Sequence, residues 1–362
     1  MSQSVTFTHA TFQPLLKRLV ETPESFTPDD LKSALYHLLT PNVVQPAQIG
    51  AFLAALRIHR LERRSEFLVA AASALRARAV KAEIQDRETD FVVDIVGTGG
   101  DGHNLFNVST TAAIVAAGAG ARVVKHGNRA STSSSGSADL LESLGCSFTA
   151  PSAASVHIPA IPFTFMLAPL YHPALATVSP YRKALPFRTM FNLIGPLISP
   201  ADPRGMVLGV ASPEMGPTFA RSLLERGVDR ALVVCGYEKL DEISCAGPTW
   251  VWEVRNGSIE EKTIRPEDFG LPVHPLTSVA GGSAAENADL FKELLAPGSE
   301  FSDRLTPFFH FVLLNTSALL VIAGIARDFV HGVELGRESV TSGRAWAAFE
   351  QYRDLSRGTM EN

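Results

Sequence analysis

The hydrophobic pattern of this chain changes period at residue 91, and that change limits the possible folds more than any other feature. Before it, apolar residues recur at helical spacing. Thr27-Pro28-Asp29-Asp30 joins a capping hydroxyl, a first-turn proline and two acids at the positive end of a helix dipole. Leu31, Ala34, Leu35, Leu38 and Leu39 then share one face, and Pro41 follows the stop. A second helix from about Pro46 aligns Ile49, Phe52, Leu53 and Leu56. A third, after Ser65, offers Phe67, Leu68, Ala71, Ala72 and Leu75. Then Phe91-Val92-Val93-Asp94-Ile95-Val96 runs directly into glycine, a strand pattern. Strand-like runs at 121–125, 163–167, 206–210 and 231–235 follow, with helical stretches such as 219–226 between them. This alternation predicts an α/β unit with a mostly parallel central sheet. The expected organisation is a small helical domain over residues 1–85 and a large α/β domain over 86–362, with a helical segment near 175–200 packing on the first.

The chain has 362 residues, 46% hydrophobic and 19% charged, enough for a large core in two parts. A net charge of -5 argues against nucleic acid as the main partner, since phosphate neutralisation needs a basic face. Cys146, Cys235 and Cys245 show no CxxC spacing, so neither a zinc site nor a disulfide framework is expected, and a reducing cytosol fits. The opening residues lack the order of a signal peptide. The uncharged stretch 311–326 is read as too short for a bilayer; with Asn315, Thr316 and Ser317 in it, a buried helix is expected instead.

Four segments carry chemistry. Gly97-Thr98-Gly99-Gly100-Asp101-Gly102 directly follows a strand. It is either a plain tight turn or a loop whose backbone approaches a ligand closely; it is neither a Rossmann nor a Walker pattern. Asn107-Val108-Ser109-Thr110 opens an Ala-rich helix, either as an ordinary cap or as an anion site at the helix N-terminus. Lys125-His126-Gly127-Asn128-Arg129 ends the next strand, where open α/β sheets bind ligands. Asp241-Glu242 lies six residues past a strand end and reads as a solvated loop or as a magnesium site. Between the third segment and residue 137 the chain holds six Ser or Thr in nine positions, a linker or a ligand loop.

Together these segments resemble one family, the anthranilate phosphoribosyltransferases. The resemblance also runs through Gly136-Ser137-Ala138-Asp139, Phe191-Asn192-Leu193-Ile194-Gly195-Pro196-Leu197, Leu240-Asp241-Glu242 and Gly281-Gly282-Ser283-Ala284-Ala285-Glu286-Asn287. It implies a nucleoside phosphorylase/phosphoribosyltransferase-like fold, a cytoplasmic homodimer formed through the helical part, no membrane, and magnesium as cofactor. The implied donor is phosphoribosyl pyrophosphate (PRPP), held by Gly97, Thr98, Gly99, Gly100, Asp101, Asn107, Ser109, Thr110, Lys125, Ser133 and Ser137. The implied acceptor is anthranilate, met by Gly97, His126, Asn128, Pro169, His172, Arg182 and Pro196. Ser109, Asp241 and Glu242 would bind the metal, and Lys125, Asn128 and Arg182 would carry the catalysis. Arg182 also suits a carboxylate by its planar fork, although an Arg in Tyr181-Arg182-Lys183, taken without the family, reads first as a surface cation. Leu105 and Ser134 depart from the family pattern, where relatives have a hydroxyl residue and a lysine. A pyrimidine nucleoside phosphorylase would need no acidic pair, and a nucleic-acid-binding relative would be basic with eroded motifs.

Overall fold

The computed structural model describes residues 7–130, 133–298 and 302–358. Four helices come first: α1 (His9–Glu21), α2 (Pro28–Leu38), α3 (Pro46–Ile58) and α4 (Ser65–Arg76). The start signal at Thr27 acts as read: its hydroxyl accepts from Asp30 N, and the Asp30 carboxylate accepts from Thr27 N at 2.9 Å. The chain then runs through β1 (Lys81–Ile84), β2 (Val92–Gly97), α5 (Val108–Gly118), β3 (Arg122–Gly127), α6 (Ser137–Ser143), β4 (Ser155–Ile158) and β5 (Phe163–Leu167). Three short helices follow, α7 (Ala168–Tyr171), α8 (Ser179–Ala184) and α9 (Met190–Leu193). Next come β6 (Gly205–Gly209), α10 (Gly216–Glu225), β7 (Arg230–Gly236), β8 (Thr249–Arg255) and β9 (Ser258–Ile264). The chain closes with α11 (Ala284–Leu295), α12 (Thr306–Ala323), α13 (Phe329–Thr341) and α14 (Arg344–Gly358).

The main sheet has seven strands in the order β5-β3-β2-β6-β7-β8-β9. The first five are parallel, and β8 and β9 are antiparallel. β1 and β4 form a separate parallel pair. Alternate residues of the strands feed two cores. Val93, Ile95, Val207, Leu232 and Val234 pack with α5 and α11 to α14. Met206, Leu208, Ala231, Val233 and Cys235 pack with α10 and α1 to α4. The stretch around α8 and α9 lies in this second core through Val178, Met190, Phe191 and Leu197, and Thr177 Oγ1 donates to Leu38 O at 2.8 Å.

One expectation needs correction. α12 with its preceding turn is long and apolar enough, by length and composition, to cross a membrane, so the shortness of 311–326 excludes nothing. Packing decides the matter: Phe311, Leu313, Leu314, Ala318, Leu319 and Leu320 are fully buried in the core. The three polar residues are internal pins. The Asn315 side chain accepts from Ile243 N (3.1 Å) and donates to Ile243 O (3.2 Å), Thr316 donates to Ala112 O, and Ser317 donates to Phe329 O.

Candidate functional site

A cavity of about 350 Å³ opens at the carboxyl ends of β2, β3 and β5. Its floor is the glycine turn. Thr98 N donates to Gly209 O and extends the β2–β6 ladder by one bond, after which Gly99 and Gly100 take positive φ values of 65° and 75°. Two glycines are required by contact. A side chain at Gly97 would collide with the Asp241 carboxylate, and one at Gly100 with the Arg188 guanidinium. The turn therefore approaches an acid on one side and a base on the other.

Asp241 and Glu242 sit in the loop between β7 and β8. Asp241 Oδ2 accepts from Gly99 N at 2.6 Å. Burial and the nearby Asp101 push its pKa up to about 7. Burial and Asp241 push Glu242 well above the usual carboxylate range. Two neighbouring acids drawn partly out of water favour their neutral forms. The loop is held from below by Asn315 through Ile243, the residue after Glu242.

Lys125 rises from β3 and is almost fully buried. Its ammonium donates to Ile95 O and, at 3.4 Å, to Ser109 Oγ. Burial lowers its pKa, against the opposing pull of Asp94, Glu242 and Asp241. Asp94, fully buried on β2, accepts from His126 N at 3.3 Å; burial raises its pKa to about 6 despite Lys125.

Asn107 precedes α5, but its side chain makes no cap bond to the first turn. It donates to Ser135 O and accepts from Ser135 Oγ and Asn287 Nδ2, each at 2.9–3.0 Å. The ordinary-cap reading is thus replaced by a clamp on the serine-rich loop. Asp139 holds that loop from the other side, accepting from Ala130 N and Gly136 N. Residues 131 and 132 of the loop lie outside the described residues, while Ser133 and Ser137 line the cavity. Asn128 lines it too, its Oδ1 accepting from Arg129 N.

The opposite wall carries Arg182 and Arg188, both half-buried. Arg182 Nη1 donates to Phe191 O at 3.4 Å; Arg188 Nη2 donates to Thr98 O (3.1 Å) and Asn192 O (3.3 Å). Burial lowers both pKa values, and Arg188 lowers that of Arg182 further. His126 and Pro196 complete this end. Burial, with His172 beside it, drops His126 to about 3, so the ring is neutral.

Of the residues expected from the sequence, three do not reach the cavity wall. Thr110 is fully buried one layer back and donates to Ser137 Oγ at 2.8 Å. His172 lies behind His126, ring centroids 5.3 Å apart. Pro169 is exposed at the start of α7, where Ala168 lines the cavity instead. Leu105 does line it, its backbone paired with Ala280; Ser134 is exposed and off the wall. The sequence reading missed Asp94 and Arg188. Asp94 left a signal, an acid inside an apolar strand run that demands a buried cation; Arg188 left none.

Family models match both parts of this architecture. One, described as glycosyl transferase family, helical bundle domain, covers residues 13–79; the other, glycosyl transferase family, a/b domain, covers 89–346. The fold is that of this class of glycosyl transferases. An anthranilate phosphoribosyltransferase of Schizosaccharomyces pombe is 41% identical over 353 residues, 96% of this chain and 98% of the relative. One of Xylella fastidiosa is 40% identical over 350 residues, 96% of this chain and 98% of that relative. The Saccharomyces cerevisiae anthranilate phosphoribosyltransferase, solved in complex with PRPP and Mg, superposes with a TM-score of 0.87 at 32% identity, covering 97% of this chain and 99% of that one. The chain belongs to the anthranilate phosphoribosyltransferase family.

Proposed function

We propose that the chain transfers the phosphoribosyl group of PRPP to the amine of anthranilate, giving N-(5-phosphoribosyl)anthranilate and pyrophosphate, a step of tryptophan biosynthesis. The observation that carries this reading is the two-ended chemistry of one cavity. One end joins a glycine turn, a helix start, a buried lysine and an acidic pair; the other presents Arg182 beside the neutral His126 ring and Pro196, and Arg188 lies between the two against Thr98 and Gly100. The first suits a phosphorylated donor and the second an aromatic carboxylate.

The donor would lie along Gly97 to Asp101, with its pyrophosphate toward Asn107, Ser109, Lys125, Ser133 and Ser137. Thr110 acts from behind by fixing the Ser137 hydroxyl. Ser109, Asp241 and Glu242 form an oxygen-only donor set of the kind magnesium takes, and burial with neighbouring acids, which raises both carboxyls, is the environment a bound cation would relieve. When bound, magnesium supplies charge to the leaving pyrophosphate. Lys125 adds a fixed positive charge there as the anomeric C–O bond breaks. Arg182 and Asn128 hold the acceptor so that its nitrogen faces that carbon, which supplies the orientation term. His126, with a pKa of about 3, is too weak a base to take the amine proton at neutral pH. That proton passes to water or to the departing pyrophosphate without a dedicated side chain, since bonding to carbon makes the aromatic amine acidic. His172 shapes the path from one layer back, and Pro169 stands at the surface beside it. We further propose the division at about residue 85, a homodimer through the helical part, and work in the cytoplasm on these soluble metabolites.

The test is the loss of anthranilate fluorescence on adding PRPP and magnesium to the purified chain. Loss that requires all three components supports the reading. No loss at saturating concentrations overturns it.

A further inference from the structure

A second cavity, of about 620 Å³, lies at the opposite end of the sheet, between the end of α4, β1, and the segment entering β6. Arg76, Arg87 and Arg226 meet there around Asp202. Arg76 Nη2 is 2.7 Å from Asp202 Oδ1, Arg226 Nη2 is 3.2 Å from the same oxygen, and Arg87 Nη2 is 3.3 Å from Oδ2. Asp202 stands at φ 47°, a conformation rare outside glycine, which lets its carbonyl face Arg87 as well (3.1 Å). Three guanidinium groups thus share one carboxylate.

Arg226 is the member that does not balance. Its side chain is 5% exposed, and its Nε and Nη1 find no partner among the described residues. Burial, with Arg76 close by, pushes its pKa down to about 10, which leaves it charged at neutral pH. Lys81 also lines the cavity; Glu83 and Glu225 line it as exposed carboxylates on the rim. Arg76 ends α4 and Arg226 follows α10, so two helix C-termini offset part of the excess charge. They supply no acceptor to Nε or Nη1 of Arg226.

We propose that this cavity is a second oxyanion site, remote from the catalytic one, that takes a phosphate group on Arg76, Arg87 and Arg226. A tetrahedral oxyanion offers more acceptor oxygens than the single carboxylate of Asp202, in a geometry the guanidinium fork matches. The volume leaves room for more than the phosphate alone, so a phosphorylated metabolite fits as well as the free ion. The walls come from 69–87 on one side and 200–226 on the other. A bound phosphate therefore ties α4 to the sheet, and it stabilises the fold by mass action.

The experiment is calorimetric titration of inorganic phosphate, and separately of ribose 5-phosphate, at fixed ionic strength. The full chain is compared with an Arg76→Gln, Arg87→Gln double variant. Any phosphate taken by the catalytic cavity contributes equally to both proteins. The wild type should show one more saturable site than the variant, its affinity falling at least about tenfold on substitution, while turnover stays unchanged. The tighter of the two ligands identifies the source. Identical isotherms in the two proteins overturn the proposal. Should the variant not fold, wild-type crystals soaked in tungstate decide alone: density bonded to Arg226 supports the site, and tungstate bound elsewhere with this cavity empty overturns it.

Discussion

At the scale of single residues, the acidic pair gives the sharpest expectation. The Asp241 carboxyl titrates near 7 in the fold, above its unfolded value near 4, so the folded state holds the proton more tightly. Its stabilising contribution is full below about pH 4 and is lost as pH rises through about 7. Asp241→Asn keeps an acceptor for Gly99 N and removes the charge. The variant should melt above the wild type at pH 8, with the gap closing toward pH 4, and should show no turnover. Thermal melts across that range, with and without magnesium, check this; magnesium should raise the wild-type midpoint and leave the variant's in place. A variant less stable at pH 8 would mean that the acids are compensated without a cation. Arg182 gives the second expectation. Arg182→Ala removes a charge-assisted bond worth about 1.5–3 kcal/mol, so the anthranilate KM should rise roughly ten- to a hundredfold. Steady-state kinetics should find the PRPP KM nearly unchanged, and an equal rise in both would assign Arg182 to the donor. Most of these residues were legible because they cluster in short segments at strand ends. Arg188 was not, because only the folded return of the chain over Gly100 gives it a role.

At the scale of elements, the parallel strands of the main sheet were legible within a residue or two because strands buried on both faces read as continuous apolar runs. β8 and β9 went unread although their signal was present. Asn256-Gly257 stands between them, with φ values of 51° and 76°, the positive pair that a tight hairpin turn needs. β1 and β4 left little trace, being four residues each and half-exposed. α12 shows how one helix serves a distant loop. Asn315 is fully buried and bonds both backbone groups of Ile243, so it fixes the height of Asp241 and Glu242 over the cavity. Asn315→Leu keeps the volume and orphans both groups, at about 1–3 kcal/mol each. The variant should be destabilised accordingly, and its apparent requirement for magnesium should rise while the anthranilate KM holds. Denaturant titration and magnesium-dependence of turnover measure the two effects. Destabilisation with an unchanged magnesium requirement would reduce Asn315 to a core residue.

At the scale of the whole molecule, the alternation of helix and strand patterns made the two-part architecture readable, but not how the chain closes on itself. The docking of 175–200 on the helical part was expected in outline, but its partners, such as Thr177 and Leu38 of α2, lie more than a hundred positions apart, and a single sequence carries no signal for which residues pair. Association between copies lies further still from sequence. Isolated exposed apolar residues are ordinary on a soluble surface. Val20 on α1 and Ile58 on α3, 51% and 74% exposed, nonetheless sit on two helices that pack together, on the part expected to form the dimer. Of the residues assigned to donor, acceptor and metal, all but Thr110, His172 and Pro169 line one cavity within a single chain. The dimer is therefore expected to stabilise the helical part and to add nothing to the reacting groups. Val20→Lys with Ile58→Asp should halve the mass in sedimentation equilibrium while turnover per chain stays within about threefold, a change of under 1 kcal/mol in the barrier. A monomer that loses turnover outright would show that the partner shapes the site, and a mass that does not change would move the interface off these two helices.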